Sequence, residues 1–123
     1  MNFFESSEDY LERILMLKEK KGMVRAVDIA NDMNYTKASV SIALKKLKES
    51  DFIEINKGSI TLTEKGHTIA SSILERHNLL TKALVMLGVP FDIASKDACK
   101  IEHDISDETF NCIKKFVNEN KNQ

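Results

Sequence analysis

The sequence has few of the residues on which disulfide-rich and membrane-spanning proteins depend. Its 123 residues include two cysteines, one proline and no tryptophan. Two cysteines are too few for a disulfide framework, and no apolar run is long enough to cross a membrane. The N-terminus lacks a basic segment followed by an apolar one, which argues against a secretory signal. We therefore expect a globular cytoplasmic protein with reduced thiols and no membrane partner.

A strong excess of charge of either sign is also missing. The formal net charge is −1 at pH 7, which disfavours a generic nucleic-acid coat protein. Basic residues nevertheless outnumber acidic ones between Lys21 and Gly66, an asymmetry that permits a DNA-facing middle segment. The sequence contains neither a phosphate-binding glycine loop nor a serine or cysteine nucleophile signature. We therefore expect a protein that is not an enzyme.

The middle of the chain predicts a helix-turn-helix. A short amphipathic helix precedes Asn34, a residue that tolerates the positive φ of a turn. A second helix then starts at Thr36, with small hydroxyl residues followed by lysines. Small side chains allow close approach to the major groove and lysines neutralise phosphates, so this pattern is typical of a recognition helix. The alternative is an ordinary helical hairpin with a solvated lysine face.

A β-hairpin is predicted directly after these two helices. Residues 52–56 and 60–63 alternate between apolar and polar, and Lys57, Gly58 and Ser59 form the expected turn between them. A helix-turn-helix followed at once by a hairpin is a winged helix. The candidate DNA contacts are Arg25, Thr36, Lys37, Ser39, Ser41, Lys45 and Lys57.

Four further helices complete the predicted organisation around this winged helix. Ser6 or Ser7 is expected to cap the first helix, and Gly22 to end it. Thr63 is expected to cap a long helix that ends before Gly88, and residues 106–108 to cap the last helix. The helix between these two would begin near Asp92 and would carry residues 98–104.

Residues 98–104 contain a possible metal-binding pattern. Cys99, Glu102 and His103 are spaced at i, i+3 and i+4, so on a helix they project from one side. A thiolate, a carboxylate and an imidazole are a suitable ligand set for a divalent transition metal. The alternative is an ordinary helix with a small buried cysteine and solvated polar neighbours.

Three segments, with the winged helix between them, resemble the metal-dependent repressors of the diphtheria toxin repressor family. They are residues 8–12, 76–80 and 97–103. The resemblance implies that metal ligands lie at Asp9, Glu12, His77, Cys99, Glu102 and His103. Cys99 matches the iron-responsive branch of that family, and the other five match the manganese-responsive branch. Thr81 and Ser95 stand where the iron branch has further ligands, and neither side chain suits that role, so a single principal metal cluster is expected. The resemblance also implies a short member of the family, without its C-terminal SH3-like domain.

The fold class that follows is mainly α with a small β-hairpin. A winged helix-turn-helix over residues 1–66 would precede a helical metal-binding and dimerisation region over residues 67–123. The resemblance implies a transcriptional repressor of metal homeostasis genes, with a divalent metal as co-repressor of a homodimer. A carboxylate-rich site suits Mn²⁺ or Fe²⁺, and a thiolate strengthens Zn²⁺ and Fe²⁺ relative to Mn²⁺, so the expected metals are Fe²⁺ first, then Mn²⁺, then Zn²⁺.

Double-stranded DNA with a pseudo-palindromic operator is the expected partner of that homodimer. The last two helices would form the dimer contact, for which the candidates are Ile101, Ile105, Phe110 and Ile113. An alternative function keeps the winged helix and drops the metal. It would be a regulator that senses a small molecule, or a thiol oxidant through Cys99 or Cys112.

Overall fold

Helices make up most of the described structure, a computed structural model that gives the backbone of residues 3–120 and the side chains of residues 6–120. Six helices and one hairpin follow each other in the order α1 (Phe3–Lys21), α2 (Ala26–Met33), α3 (Lys37–Glu49), β1 (Ile53–Asn56), β2 (Ser59–Leu62), α4 (Glu64–Met86), α5 (Phe91–Ile101) and α6 (Asp107–Asn120). The predicted fold class is confirmed. Within residues 3–120, no helix combines the length and the apolar character that crossing a membrane requires.

The chain divides into two compact units, the first extending to Ser71 and the second beginning at Ser72. Helix α4 therefore contributes its first turns to one unit and its remainder to the other. The domain limits expected from the sequence, 1–66 and 67–123, stay predictions.

Helix α1 supplies a large part of the apolar interior of the first unit. Its buried residues recur every three or four positions, as one face of a helix requires; they are Tyr10, Leu11, Ile14, Leu15 and Leu17. The helix begins at Phe3, so the expected serine cap is wrong, and Ser7 lies buried inside the helix. No helix-breaking residue precedes Ser6, so helical hydrogen bonding continues towards the N-terminus. Gly22 (φ +83°) ends the helix as expected.

The helix-turn-helix is confirmed in detail. Asn34 adopts the left-handed conformation between α2 and α3 (φ 58°, ψ 43°), and Thr36 caps α3 by accepting a hydrogen bond from the Ser39 backbone N–H at 3.1 Å. At the start of α2, the backbone N–H of Arg25 donates to the Asp28 carboxylate at 2.9 Å. This bond is the main reason that the pKa of Asp28 lies below its ordinary value. The inward face of α3 is buried, and consists of Val40, Leu44 and Leu47.

The hairpin that forms the wing has two strands of four residues each, joined by a tight loop. Its strands pair antiparallel, and Asn56 faces Ser59 across a loop of two residues, so Ser59 belongs to β2 and not to the turn. Lys57 (φ 53°) and Gly58 (φ 82°) both have positive φ, which identifies a type I′ turn. The backbone N–H of Ile60 donates to the Val24 carbonyl at 2.8 Å and so ties the wing to the segment before α2.

Helix α4 starts at a close approach that only glycine permits. The Thr63 side chain caps the helix by accepting from the Gly66 N–H at 3.1 Å. A Cβ on Gly66 would lie 2.0 Å from the carbonyl oxygen of Phe52. The predicted cap is confirmed, and the glycine is required by packing and not by its φ.

In the second unit, α5 and α6 begin and end close to where the sequence predicts. Helix α5 begins at Phe91, directly after Pro90 and next to Asp92, as expected. The Ser106 side chain caps α6 by accepting from the Thr109 N–H at 3.1 Å. The buried apolar residues of this unit come from all three of its helices; they are Ile73, Leu80, Ala94, Ala98, Phe110 and Val117.

Candidate metal centre

Three of the six predicted metal ligands come together within the second unit. His77, Cys99 and Glu102 each offer one ligand atom, and these atoms all lie within 4.8 Å of one another. The Nδ1 atom of His77 lies 3.0 Å from Oε2 of Glu102. A nitrogen, a sulfur and an oxygen atom at these separations are donors that a single transition-metal ion can accept.

Local backbone geometry explains why Cys99 and Glu102 share a face. Helix α5 ends at Ile101, and Glu102 follows as its C-terminal cap with helical dihedral angles (φ −58°, ψ −24°). Its backbone N–H still donates to the Ala98 carbonyl at 2.9 Å. The i, i+3 relation between the thiol and the carboxylate is therefore kept, although the helix has formally ended.

His103 is placed differently from the prediction. The chain leaves the helix after Glu102, and the Asp104 N–H donates to the Ile101 carbonyl at 2.9 Å in a tighter turn. The prediction that His103 belongs to the same helix as Cys99 is therefore wrong. The histidine side chain is nonetheless only 2% exposed, and its Nε2 lies 3.5 Å from Oε1 of Glu102.

Glu102 is the chemical centre of this cluster. Its side chain is fully buried, with one imidazole facing each carboxylate oxygen. Among the described residues, Oε1 has no hydrogen-bond partner, and its contact with the His103 nitrogen is an ion-pair distance of 3.5 Å. A buried carboxylate with an unsatisfied oxygen is costly unless a cation or a donor satisfies it. The donor set and this oxygen fit a divalent cation.

The remaining two predicted ligands lie in the first unit, on α1. Asp9 and Glu12 are three residues apart and therefore share a helix face. Glu12 is buried, with 2% of its surface exposed, and Asp9 is half-buried. A carboxylate is rarely buried without a functional or electrostatic reason. Asp9 and Glu12 stay predicted ligands.

The predicted DNA contacts all lie at the surface of the first unit. Lys37, Ser41 and Lys45 project from α3 away from its buried face. Thr36 and Ser39 also form the helix cap, where the Thr36 hydroxyl donates to the Ser39 hydroxyl at 2.9 Å. At the wing, an Nη1 donor of Arg25 lies 3.5 Å from the Lys57 carbonyl oxygen, so these two predicted contacts are neighbours.

The predicted dimer contacts are only partly accessible. Ile101, Ile105 and Ile113 are half-buried, whereas Phe110 is 6% exposed and packs inside the unit. An apolar groove of about 610 Å³ lies beside Ile101 and Ile113. Residues that the sequence did not single out as dimer contacts also line it, namely Leu80, Leu84, Leu87 and Phe116. Their helical spacing was visible in the sequence, but it reads equally well as a core face.

Two polar side chains that were not predicted to take part in the site lie near the cluster. The Ser95 hydroxyl lies 3.3 Å from Nε2 of His77, on the opposite side of the ring from Glu102. Arg76 donates to the backbone carbonyls of Glu102 and Ile105. In the sequence, Ser95 was noted only as a residue that stands where the iron-responsive branch has a further ligand, and Arg76 only as the neighbour of His77.

Comparison with known proteins agrees with this arrangement over both units. Residues 2–59 match the family profile described as the N-terminal DNA-binding domain of iron-dependent repressors. Residues 63–123 match the profile of the metal-binding and dimerisation domain of the same proteins. Together these two matches cover nearly the whole chain.

Similar proteins include curated transcriptional regulators. An HTH-type transcriptional regulator of Methanocaldococcus jannaschii is 37% identical over 122 residues, covering 97% of this chain and 98% of the relative. The HTH-type transcriptional regulator MntR of Shouchella clausii is 40% identical over 102 residues, covering 82% of this chain and 71% of the relative.

Solved structures show the same fold. The manganese regulator SloR superposes with a TM-score of 0.81 at 32% identity, covering 91% of this chain and 53% of that structure. IdeR of T. acidophilum superposes with a TM-score of 0.82 at 26% identity, covering 90% and 53%. The chain thus spans about half the length of these two structures. From the two profile matches and the curated relatives, the chain belongs to the iron-dependent repressors, which form the diphtheria toxin repressor family that the sequence motifs resemble.

Proposed function

We propose that this protein is a metal-responsive transcriptional repressor, in which a divalent transition metal is the co-repressor of a DNA-binding homodimer. The observation that carries the proposal is the cluster of His77, Cys99 and Glu102, whose ligand atoms lie within 4.8 Å of one another. The family's two domains, one for DNA and one for metal and dimerisation, support the same function. The manganese regulator SloR, whose solved structure has the same fold, supports it as well.

The proposed metal site is built on Glu102. His77, Cys99 and Glu102 would hold the ion together, His103 would join them from the adjoining turn, and Asp9 and Glu12 are proposed as further ligands because of the family resemblance. The ion would supply the positive charge that the buried Glu102 carboxylate needs. The carboxylates of this set suit Mn²⁺ or Fe²⁺, and the Cys99 thiolate strengthens Fe²⁺ and Zn²⁺ relative to Mn²⁺. We therefore expect Fe²⁺ to be preferred, followed by Mn²⁺ and Zn²⁺.

The proposed DNA-binding surface is the exposed side of α3 with the wing beside it. Lys37, Ser41 and Lys45 would face the major groove and its phosphates, and Lys57 at the wing tip would face the adjoining backbone. A single winged helix makes few contacts with DNA, so the two winged helices of a two-fold symmetric dimer would bind a pseudo-palindromic operator together. The metal would regulate DNA binding by thermodynamic linkage. If the metal ion binds more tightly to the dimer arrangement that binds DNA, then metal binding raises the affinity for DNA by the same factor.

The proposed dimer contact is the apolar groove of the second unit. Leu87 is 75% exposed and Phe116 52% exposed, and burying such side chains against a second copy would stabilise the dimer. Replacing Leu84 in this groove by glutamate should convert the dimer to a monomer in sedimentation measurements. Asn118→Glu, on an exposed position of α6, introduces the same single negative charge and serves as the control. A dimer that survives Leu84→Glu would place the contact elsewhere.

The deciding experiment measures DNA affinity with and without metal. Purified protein is stripped with a chelator and titrated against its own promoter region, first alone and then with Fe²⁺ or Mn²⁺ under anaerobic conditions, since thiolate and ferrous ion both oxidise. We expect metal to tighten DNA binding, and Glu102→Gln to remove that effect. Equal affinity in all states would overturn the sensor function and favour the metal-independent regulator.

We also infer that the protein acts by binding and not by catalysis, and that it works in the cytoplasm. The relatives that it matches are transcriptional regulators, and the cluster holds no additional general base of the kind that a metallohydrolase needs among the side chains described around it. Hydrolysis of generic ester or phosphoester substrates by the metal-loaded protein would contradict the first inference.

A further inference from the structure

The short turn that follows α5 carries two of the proposed ligands and contains no helix or strand. Only residues 102–106 separate the end of α5 from the start of α6. Glu102 and His103 lie at the beginning of this turn. The carbonyl oxygens at the end of a helix have no partner within the helix, so a turn of this kind needs donors from elsewhere to hold one conformation.

Arg76 on α4 supplies these donors. Its Nη1 lies 3.2 Å from the carbonyl oxygen of Glu102 and 2.9 Å from that of Ile105. Its Nη2 forms an ion pair with the Asp107 carboxylate in the first turn of α6. One guanidinium therefore binds the turn at its beginning and near its end, and also binds the helix that follows.

The burial of Arg76 and its contact with an aromatic ring restrict the movement of its side chain. The side chain is 14% exposed, and its guanidinium carbon lies 5.2 Å from the ring centre of Phe110, within the range of a cation–π contact. A planar fork with five fixed donors matches two carbonyls and a carboxylate at once. A lysine ammonium in its place is a point charge on a flexible stem and does not reproduce that geometry.

Arg76 and His77 act on the same residue from neighbouring positions of one helix. The arginine holds the backbone of Glu102, and the histidine ring contacts the carboxylate of Glu102 at 3.0 Å. With its main chain fixed from α4, the Glu102 carboxylate has few orientations available. Partners that orient a ligand in this way are known to change metal affinity about 10- to 100-fold when removed.

We propose that Arg76 is a positioning residue of the metal site, which presets the Glu102 carboxylate and the His103 imidazole before an ion arrives. The proposal rests on the proposed function, because it assigns Arg76 a role in the affinity of that same site. It implies that the apo protein already holds the turn in the metal-binding conformation. Affinity would then depend on a residue that contributes no ligand atom.

The test compares Arg76→Lys with the wild type and with Glu75→Gln. Glu75 precedes Arg76 on α4, is exposed, and pairs only loosely with Lys114 at 3.5 Å, so its substitution controls for a change on the same helix. Mn²⁺ and Co²⁺ affinities are measured on chelator-stripped protein, well below the melting temperature. We expect Arg76→Lys to weaken both about 10- to 100-fold, and Glu75→Gln to leave them unchanged.

The visible spectrum of the Co²⁺ complex separates a positioning role from a merely structural one. In Arg76→Lys we expect the thiolate charge-transfer band of Cys99 to remain while the ligand-field bands change, because the carboxylate from Glu102 is displaced. A structural role alone would lower the melting temperature of the apo protein and leave affinity and spectrum as in the wild type. That result in a folded Arg76→Lys variant overturns the proposal.

A second variant keeps the test decisive if Arg76→Lys fails to fold. Asp107 is 89% exposed, so Asp107→Asn removes one anchor of the arginine with little effect on the core. We expect a smaller loss of Co²⁺ affinity in the same direction, and an unchanged affinity would refute the proposal. Failure of the wild-type protein to bind any of these ions would instead refute the proposed function.

Discussion

Replacing Glu102 by glutamine separates metal-linked stability from intrinsic stability. The side chain is fully buried, faces two histidines and leaves one oxygen without a hydrogen-bond partner among the described residues. The amide keeps the shape and removes the charge that a cation would neutralise. We therefore expect opposite consequences in the metal-free and the metal-loaded protein.

The expected magnitude follows from mass action. An ion present at 100 times its dissociation constant stabilises the folded state by about 2.7 kcal/mol. In a chain of this size, 1 kcal/mol corresponds to roughly 3–5 °C in melting temperature, so saturating metal should raise the wild-type melting temperature by roughly 10 °C. In Glu102→Gln the increase should nearly vanish, while the metal-free melting temperature stays equal or rises, because a buried charge has been removed.

The assay is thermal unfolding of chelated and metal-loaded protein at one fixed protein concentration, since dimerisation also makes the melting temperature depend on concentration. Glu119→Gln is the control, because Glu119 is an exposed acid near the end of α6 and lies outside the apolar groove. If the metal-induced increase is the same in Glu102→Gln and in the wild type, the assignment of Glu102 as the central ligand is refuted.

Three further predictions concern the metal, the DNA and the pH. Cys99→Glu should raise the affinity for Mn²⁺ relative to Zn²⁺, as measured by competition with a metal chelator, because a hard carboxylate replaces a soft thiolate; an unchanged ratio would show that Cys99 is not a ligand. Lys45→Ala should weaken DNA binding about equally on specific and non-specific sequences and reduce the slope of log K against log salt by about 1; a loss confined to one base position would contradict this role. Lysine-to-alanine substitution at Lys20, exposed in the last turn of α1, is the matched control. The lowered pKa of Asp28, due first to the Arg25 backbone N–H and then to Lys21, stabilises the fold above a pH of about 4, the ordinary aspartate range. That stability is lost as the pH falls through the lowered pKa, so acid should reduce the melting temperature of the wild type more than that of Asp28→Asn, and parallel curves would refute the coupling.

The elements of the winged helix were predictable because their signals are local. A threonine cap is chosen by its own hydroxyl and the next three residues, as at Thr36 and Thr63. Asn34 indicates a turn with a left-handed residue, and a glycine between two short alternating segments indicates a tight hairpin. Each of these choices depends on fewer than six consecutive residues, so the sequence contains all the information that they need.

The candidate site was predictable only as a set of residue types. The i, i+3 spacing of Cys99 and Glu102 survives in the structure, but the helix ends before His103 because the turn tightens at Asp104. The roles of Arg76 and Ser95 depend on contacts between residues 18 to 31 positions apart. No local pattern encodes such contacts, and only the folded chain brings these residues together.

The glycine at the start of α4 has a consequence for how the DNA-binding unit can move. The Phe52 carbonyl oxygen lies only 2.0 Å from where a Cβ of Gly66 would be, and it also accepts a hydrogen bond from the Thr63 N–H at 3.0 Å. The junction between the wing and α4 is therefore tightly packed. We therefore expect this junction to be stiff and not to act as a hinge. A reorientation of the recognition helix and wing is then expected to carry the first turn of α4 with it as one rigid body.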